Sequence, residues 1–214
     1  MDTIENIIRW AGGIAALIVI IVVLISVGRF RSQPAGKIVG SSPARLYSPV
    51  FLVISSLISI AICVLLWRPI VTTLPPWAQV VALVVGTLFY FGGIGVVLWG
   101  RQTLGKYHNL STTQGVQLFA DHQLITSGPF AIVRHPMYLG FFLTVFGGLL
   151  LYQTWTMLLF ALCAPVFVKR ARREEEALLL VFGEEYRAYQ RRVPAFLPHL
   201  SRRKQAEGSD QYGK

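Results

Sequence analysis

In a chain where only 14% of 214 residues are charged, two stretches concentrate the side chains that can do chemistry. The first, 122–140, reads HQLITSGPFAIVRHPMYLG; the second, 169–198, carries Lys169, Arg170, five glutamates and a closing VPAFLP. In the first stretch Ser127-Gly128-Pro129 makes a turn, and His135-Pro136 leads into an apolar run. Proline suits the first turn of a helix, so Pro136 marks a helix start. Unpaired backbone N–H groups and the positive end of the helix dipole then favour a carboxylate or phosphate near His135, Met137 and Tyr138. A plainer role is open to Arg134 and His135: an arginine anchored on lipid phosphates and a histidine capping the helix.

In the second stretch, Lys169 to Phe182 can extend the preceding apolar run as an amphipathic helix that Gly183 ends. Glu184 and Glu185 open a short further helix, where negative charge is favourable, and Pro194 stops it. Arg170–Glu174 and Arg172–Glu176 are spaced i,i+4, so most of these charges read as a salt-bridged helix, at about 0.2–0.5 kcal/mol per pair. No metal site is expected. Cys63 and Cys163 lie inside apolar runs without a histidine nearby or any ligand spacing, and read as buried thiols.

The elements that must position these residues belong in a membrane. The chain is 54% hydrophobic with a positive mean hydropathy, beyond what a soluble domain of this size tolerates. Apolar runs at 7–27, 49–66, 77–99, 138–152 and 155–168 give five spans, judged against the ~20 residues needed to cross ~30 Å of hydrocarbon. The first starts after Asp2 and Glu5, unlike the basic start of a signal peptide, and is expected to be a retained span. Only Gln153 and Thr154 separate the last two, which predicts a tight helical hairpin. With the N-terminus outside, the segments 29–48, 101–136 and 169–214 are cytosolic and hold 18 of the 20 lysines and arginines. That basic face suits anionic headgroups and explains the formal charge of +10 without nucleic acid. Trp67, Trp77 and Trp99 fall near span ends. The glycines of GGIG (Gly92, Gly93, Gly95) and Gly147-Gly148 lie within apolar runs with no strand before them, and predict close helix packing rather than a nucleotide loop.

The string GPFAIVRHPMYLG resembles the GPY…RHPxYxG signature of the isoprenylcysteine carboxyl methyltransferase and phospholipid methyltransferase superfamily. EEEALLLVFGEEYRAYQRRVPAFLP resembles the same family's paired glutamates, FGxEY element and closing V-P…P. The resemblance covers roughly 115–198. It implies an all-α integral membrane protein with five transmembrane helices and a cytosolic cofactor pocket, formed by the loop before the fourth span and the C-terminal helices. The corresponding organisation is a three-span region over 1–100, a catalytic region over 101–200 and a disordered tail over 201–214.

The implied cofactor is S-adenosylmethionine. The resemblance carries its contacts onto His122, Gln123, Leu124, Ile125, Phe130, His135, Pro136, Met137, Tyr138 and Glu174, and the substrate side onto Arg170, with Arg134 as second choice. Gln114 and Gln117 are both open as a further polar contact. Phe130 stands where the family usually has tyrosine, so ring stacking remains there without a hydroxyl. The helix start at His135 suits the cofactor carboxylate, Glu174 its ammonium, and Phe130 or Tyr138 its adenine or sulfonium.

The implied acceptor is lipophilic: the carboxylate of a prenylated cysteine or a similar isoprenoid acid, entering laterally from the cytosolic leaflet. Such a carboxylate is ionised at neutral pH and requires positioning rather than a base. A phospholipid amine is the alternative acceptor and would need His108, His122 or a glutamate as base. Two other classes are distinguishable. Membrane sterol reductases that use NADPH look more like HPNYLGD with KYGxxW, and a transporter or scaffold would place ionisable groups at mid-membrane or bind no cofactor. The expected partners are the lipophilic or prenylated substrate and membrane lipids.

Overall fold

Proline fixes where two of the central helices begin. In the computed structural model, which describes residues 2–30, 49–70, 74–105 and 124–198, α3 (Pro76–Leu104) starts on Pro76 and α4 (Pro136–Tyr152) on Pro136, each at the first helical position. Before them come α1 (Asp2–Phe30) and α2 (Pro49–Leu65), and a 3₁₀ turn at Gly128–Ala131 precedes α4. After them come α5 (Trp155–Phe182) and α6 (Glu184–Arg192). The architecture is all-helical, with no strand among the described residues.

Two helices are long and apolar enough to cross a membrane, by length and composition: α1 over Thr3–Val22, and α3. Ile54–Leu65 and Pro136–Tyr152 are shorter apolar helices. Large apolar side chains face outward along these helices, Ile14, Ile58 and Val81 among them, which is the inverse of a water-soluble core. Cys163 follows the same rule. It is exposed on α5 rather than buried, because an apolar run marks a lipid-compatible face as readily as a packed one, while Cys63 is half-buried.

The closest helix pair is α3 with α4, joined through glycines. A Cβ built on Gly93 would stand 2.5 Å from the Gly140 carbonyl and the Thr144 N–H, and one on Gly147 would strike the Tyr90 N–H. Of the GGIG glycines only Gly93 is packed this way; Gly92 and Gly95 face open space. Backbone approach of this kind is how helices associate where no hydrophobic effect drives them together.

Hydrogen bonds fasten the outer helices to this pair. The Tyr90 hydroxyl donates to the Gly12 carbonyl at 3.1 Å and the Tyr152 hydroxyl to that of Arg9 at 2.9 Å, holding α1. The Thr156 hydroxyl donates to the Cys63 carbonyl at 2.8 Å, and the Ile70 N–H to that of Gln153 at 2.7 Å, holding α2 at the α4–α5 corner. That corner is the two-residue hairpin expected at Gln153-Thr154, with Gln153 in the left-handed region and Thr154 capping α5.

α5 runs unbroken from its apolar start to Phe182, and Gly183 at φ +52° lets the chain turn into α6, whose first residues are Glu184 and Glu185. Beyond α6 the chain folds back. The N–H groups of Arg134 and His135 donate to the carbonyls of Pro194 and Ala195 at 2.8 and 3.0 Å, so the two motif segments are paired through their backbones.

Candidate active site

The turn at Gly128–Ala131, the start of α4, the middle of α5 and α6 surround a cavity of about 430 Å³, within the range of small-molecule sites. α1 and α3 supply its apolar flank, through residues such as Ile20 and Val97. Leu124, Ile125, Phe130, Arg134, His135, Pro136, Met137, Tyr138, Arg170 and Glu174 all line it. His122 and Gln123 lie outside the described residues, as do His108, Gln114, Gln117 and 201–214.

Two neighbouring carboxylates organise the polar wall, Glu174 within the lining and Glu175 behind it against Arg134 and His135, and their environments differ. Glu174 is buried; its Oε1 accepts from the Tyr138 hydroxyl at 2.5 Å and from Arg170 Nε at 3.3 Å. Burial holds its pKa above the ordinary carboxylate value, and the Tyr138 and Arg170 contacts only partly offset this. Glu175 Oε1 accepts from Arg134 Nε at 2.9 Å and faces His135 Nε2 at 2.8 Å, while Oε2 accepts from Gln190 Nε2 at 3.2 Å. Burial opposes its charge as well, but the bonds from His135 and Arg134 prevail and its pKa is held low.

Arg134 is fastened in place. Besides Glu175, its Nη1 donates to the carbonyls of Gln190 and Val193 at 3.0 and 2.9 Å, which ties the α4 entrance to α6 and the chain beyond it. His135 is the N-cap residue of α4, yet its side chain makes no capping bond. The ring is turned to Glu175 and stacked on Phe196, with centroids 5.3 Å apart. Pro136 has no N–H and the Leu139 N–H returns to the His135 carbonyl at 3.0 Å, so Met137 and Tyr138 carry the open donors of this helix start.

Arg170–Glu174 forms as the i,i+4 spacing predicts, but Arg172–Glu176 is not an ion pair among the described residues. Glu175, which that arithmetic leaves out, makes the denser contacts. Sequence reasoning also passed over Tyr186 and Tyr189, both buried and lining the cavity. The Tyr189 hydroxyl donates to the Phe130 carbonyl at 2.6 Å, fixing the 3₁₀ turn, and burial pushes its pKa up to about 12. Their i,i+3 spacing on a short, highly charged helix was the available signal.

Residues 80–180 match the isoprenylcysteine carboxyl methyltransferase (ICMT) family, a match that begins upstream of the expected 115, inside α3, and ends in α5. Among curated relatives, a protein-S-isoprenylcysteine O-methyltransferase of Schizosaccharomyces pombe is 40% identical over 80 residues, covering 36% of this chain and 34% of the relative. One of Tribolium castaneum is 34% identical over 115 residues, covering 50% and 39%. A methanethiol S-methyltransferase of Pseudomonas deceptionensis is 29% identical over 169 residues, covering 75% and 62%. The chain thus spans between about a third and three-fifths of the length of these relatives. A solved structure of the eukaryotic intramembrane Ras methyltransferase ICMT overlaps loosely, with a TM-score of 0.40 and 22% identity over 71% of this chain and 53% of that one. The family-matched residues 80–180 include Arg134, His135, Tyr138, Arg170, Glu174 and Glu175.

Proposed function

We propose that the chain is an S-adenosylmethionine-dependent membrane methyltransferase whose acceptor is the carboxylate of a prenylated cysteine or a similar isoprenoid acid. The observation that carries this is Glu174: a carboxylate buried at the wall of a largely apolar cavity, its pKa raised, within the family-matched segment. A buried carboxylate whose partners do not offset its desolvation gains most from a ligand cation. The family match and the prenylcysteine methyltransferase relatives supply the reaction class.

S-adenosylmethionine supplies an electrophilic methyl group on a sulfonium. The residues fit it: Glu174 for the ammonium, the open N–H groups of Met137 and Tyr138 for the carboxylate, and Leu124, Ile125 and Phe130 as apolar walls for the adenine. His122 and Gln123 complete the proposed set. Arg170 orients the acceptor carboxylate. It is favoured over Arg134, whose side chain is 13% exposed against 37% for Arg170 and is held by Glu175 and two carbonyls. An ionised carboxylate needs no general base, so these side chains bind, align and exclude water.

The topology that goes with this reading has five spans, α1 to α4 and the apolar half of α5. The N-terminus lies outside, and the cavity opens on the cytosolic side, where most of the lysines and arginines fall. The lipophilic part of the acceptor enters laterally between helices.

A second reading is favoured by one observation: the methanethiol S-methyltransferase match extends over 75% of this chain, well beyond the family-matched segment. It makes the acceptor a small thiol. The deciding experiment offers labelled S-adenosylmethionine with farnesylcysteine, phosphatidylethanolamine, a native lipid extract or methanethiol to the detergent-purified protein. Label in farnesylcysteine methyl ester is the expected result. Label in methanethiol alone establishes the second reading, and no labelled product in any arm overturns both.

A further inference from the structure

Arg101 lies near the C-terminal end of α3, and its guanidinium is turned inward. Nη2 donates to the Val22 carbonyl of α1 at 3.0 Å, while Nη1 is buried and has no hydrogen-bond partner. An arginine at a helix end beside a bilayer ordinarily extends its head into the headgroup layer, where water and phosphates satisfy every N–H. Here the half-buried residue spends Nη2 on a backbone carbonyl and encloses Nη1 without any acceptor, which is costly for a charged donor.

The position of that unmet N–H gives it meaning. Val97 and Leu104 precede and follow Arg101 by four and three residues, share its face of α3, and line the cavity. Val19 and Ile20 of α1, just before the carbonyl that Arg101 grips, line it too. The guanidinium therefore stands at the α1–α3 seam, behind the residues that line the apolar flank of the cavity rather than in that lining.

Charge around the cavity is also out of balance. Arg134 is paired with Glu175 and Arg170 with Glu174, whereas Arg101 has no carboxylate partner among the described residues. Of these three arginines, Arg101 is the one without a carboxylate, and it also carries the enclosed N–H that no acceptor meets.

We infer that Arg101 binds an oxyanion, the carboxylate or phosphate of an amphiphile whose apolar part lies along the α1–α3 flank of the cavity. Guanidinium is suited to this because its charge is permanent and its planar edge meets an oxyanion with directed N–H groups. The apolar walls select an amphiphile over a free anion. Identifying the oxyanion with that of the methyl acceptor rests on the function proposed above; the presence of an oxyanion site does not.

Calorimetric titration of the full chain in neutral detergent, with wild type, Arg101→Gln and Arg101→Lys, tests it. The probes are farnesylcysteine against its methyl ester, and dioleoyl phosphatidic acid against dioleoyl phosphatidylcholine. The wild type is expected to prefer the anionic member of one pair by at least about tenfold, a preference that Arg101→Gln removes and Arg101→Lys retains in part. Loss confined to the farnesylcysteine pair assigns the site to the acceptor carboxylate, and loss confined to the phosphatidic acid pair assigns it to a lipid phosphate. S-adenosylmethionine titrated into each variant checks folding and is expected to bind unchanged. Equal discrimination by wild type and Arg101→Gln in both pairs overturns the inference, as does a loss of S-adenosylmethionine affinity matching the loss for the amphiphile. An anion preference that survives in a protein showing no methyl transfer would leave this site standing and remove the proposed reaction.

Discussion

His135 Nε2 and Glu175 Oε1 lie 2.8 Å apart, and this contact sets the histidine's tautomer. An ionised carboxylate can only accept, so Nε2 carries the proton and Nδ1 is the ring nitrogen available to a ligand of the cavity that His135 lines. On the function proposed above, Glu175 acts as a positioning residue: it stands outside the cavity lining and orients His135, which lines it. Glu175→Gln keeps the shape, yet its amide can present an N–H toward His135 Nε2 and releases the Arg134 ion pair. Losing a hydrogen bond to a charged group costs about 1.5–3 kcal/mol, so kcat/KM is expected to fall about tenfold to a hundredfold. Thermal unfolding in detergent checks that the variant remains folded, and undiminished turnover would remove Glu175 from this role.

The same carboxylate makes the fold acid-sensitive. Its folded-state pKa is depressed, chiefly by the bonds from His135 and Arg134 winning over burial, so its contribution is present above the unfolded value near 4.5. It is lost as pH falls below that value and through the folded pKa. Thermal stability of the wild type should therefore drop on acidification in that window. Glu175→Gln should be less stable at neutral pH and lose less of its stability across the same range.

How much of this was legible in the sequence depends on the distance over which a signal acts. Pro76, Pro136, Gly183 and the Gln153-Thr154 hairpin act within one turn of backbone, and the helix bounds follow them. The RHPMY stretch and the segment from Arg170 to Glu176 carry enough residue identity to group Arg134, His135, Tyr138, Arg170 and Glu174 on one cavity. Glu175 was not legible. Helical spacing pairs Arg170 with Glu174 and Arg172 with Glu176, while the partners of Glu175 arrive from the start of α4, about forty residues away along the chain. The same long-range contact takes His135 away from the capping role its position suggests. Cys163 shows a different gap: hydropathy reports that a face is apolar, not whether lipid or protein covers it.

Glycine packing between α3 and α4 separates two residues that the sequence presents as equals. A Cβ at Gly93 meets the backbone of Gly140 and Thr144 at 2.5 Å, and backbone cannot swing aside as a side chain can. Gly93→Ala is expected to destabilise the helix pair by about 1–3 kcal/mol. Two residues on, Gly95 faces open space, and Gly95→Ala should be neutral or stabilising by up to about 1 kcal/mol through helix propensity. Denaturant midpoints of the two variants in matched micelles measure the contrast; equal effects would mean that the α3–α4 approach is not made through Gly93.

On the function proposed above, Glu174 couples cofactor binding to proton release. Burial raises its pKa in the free protein, so on acidification it takes up a proton at a pH where an exposed glutamate would still be ionised. A ligand ammonium beside it favours the ionised form and lowers that pKa. Binding of S-adenosylmethionine therefore releases a proton wherever Glu174 is partly protonated beforehand, and affinity weakens as pH falls through the free-state pKa. Titrations at mildly acidic pH in two buffers of different ionisation enthalpy should give apparent enthalpies that differ with the sign of proton release. Glu174→Gln should abolish the difference and weaken binding. Tyr138→Phe leaves the carboxylate in place without its 2.5 Å hydrogen bond, so its pKa rises further and proton release should be displaced to higher pH. Were the enthalpies of the wild type independent of buffer throughout the acid range, Glu174 would not be the group that meets the cofactor's positive charge.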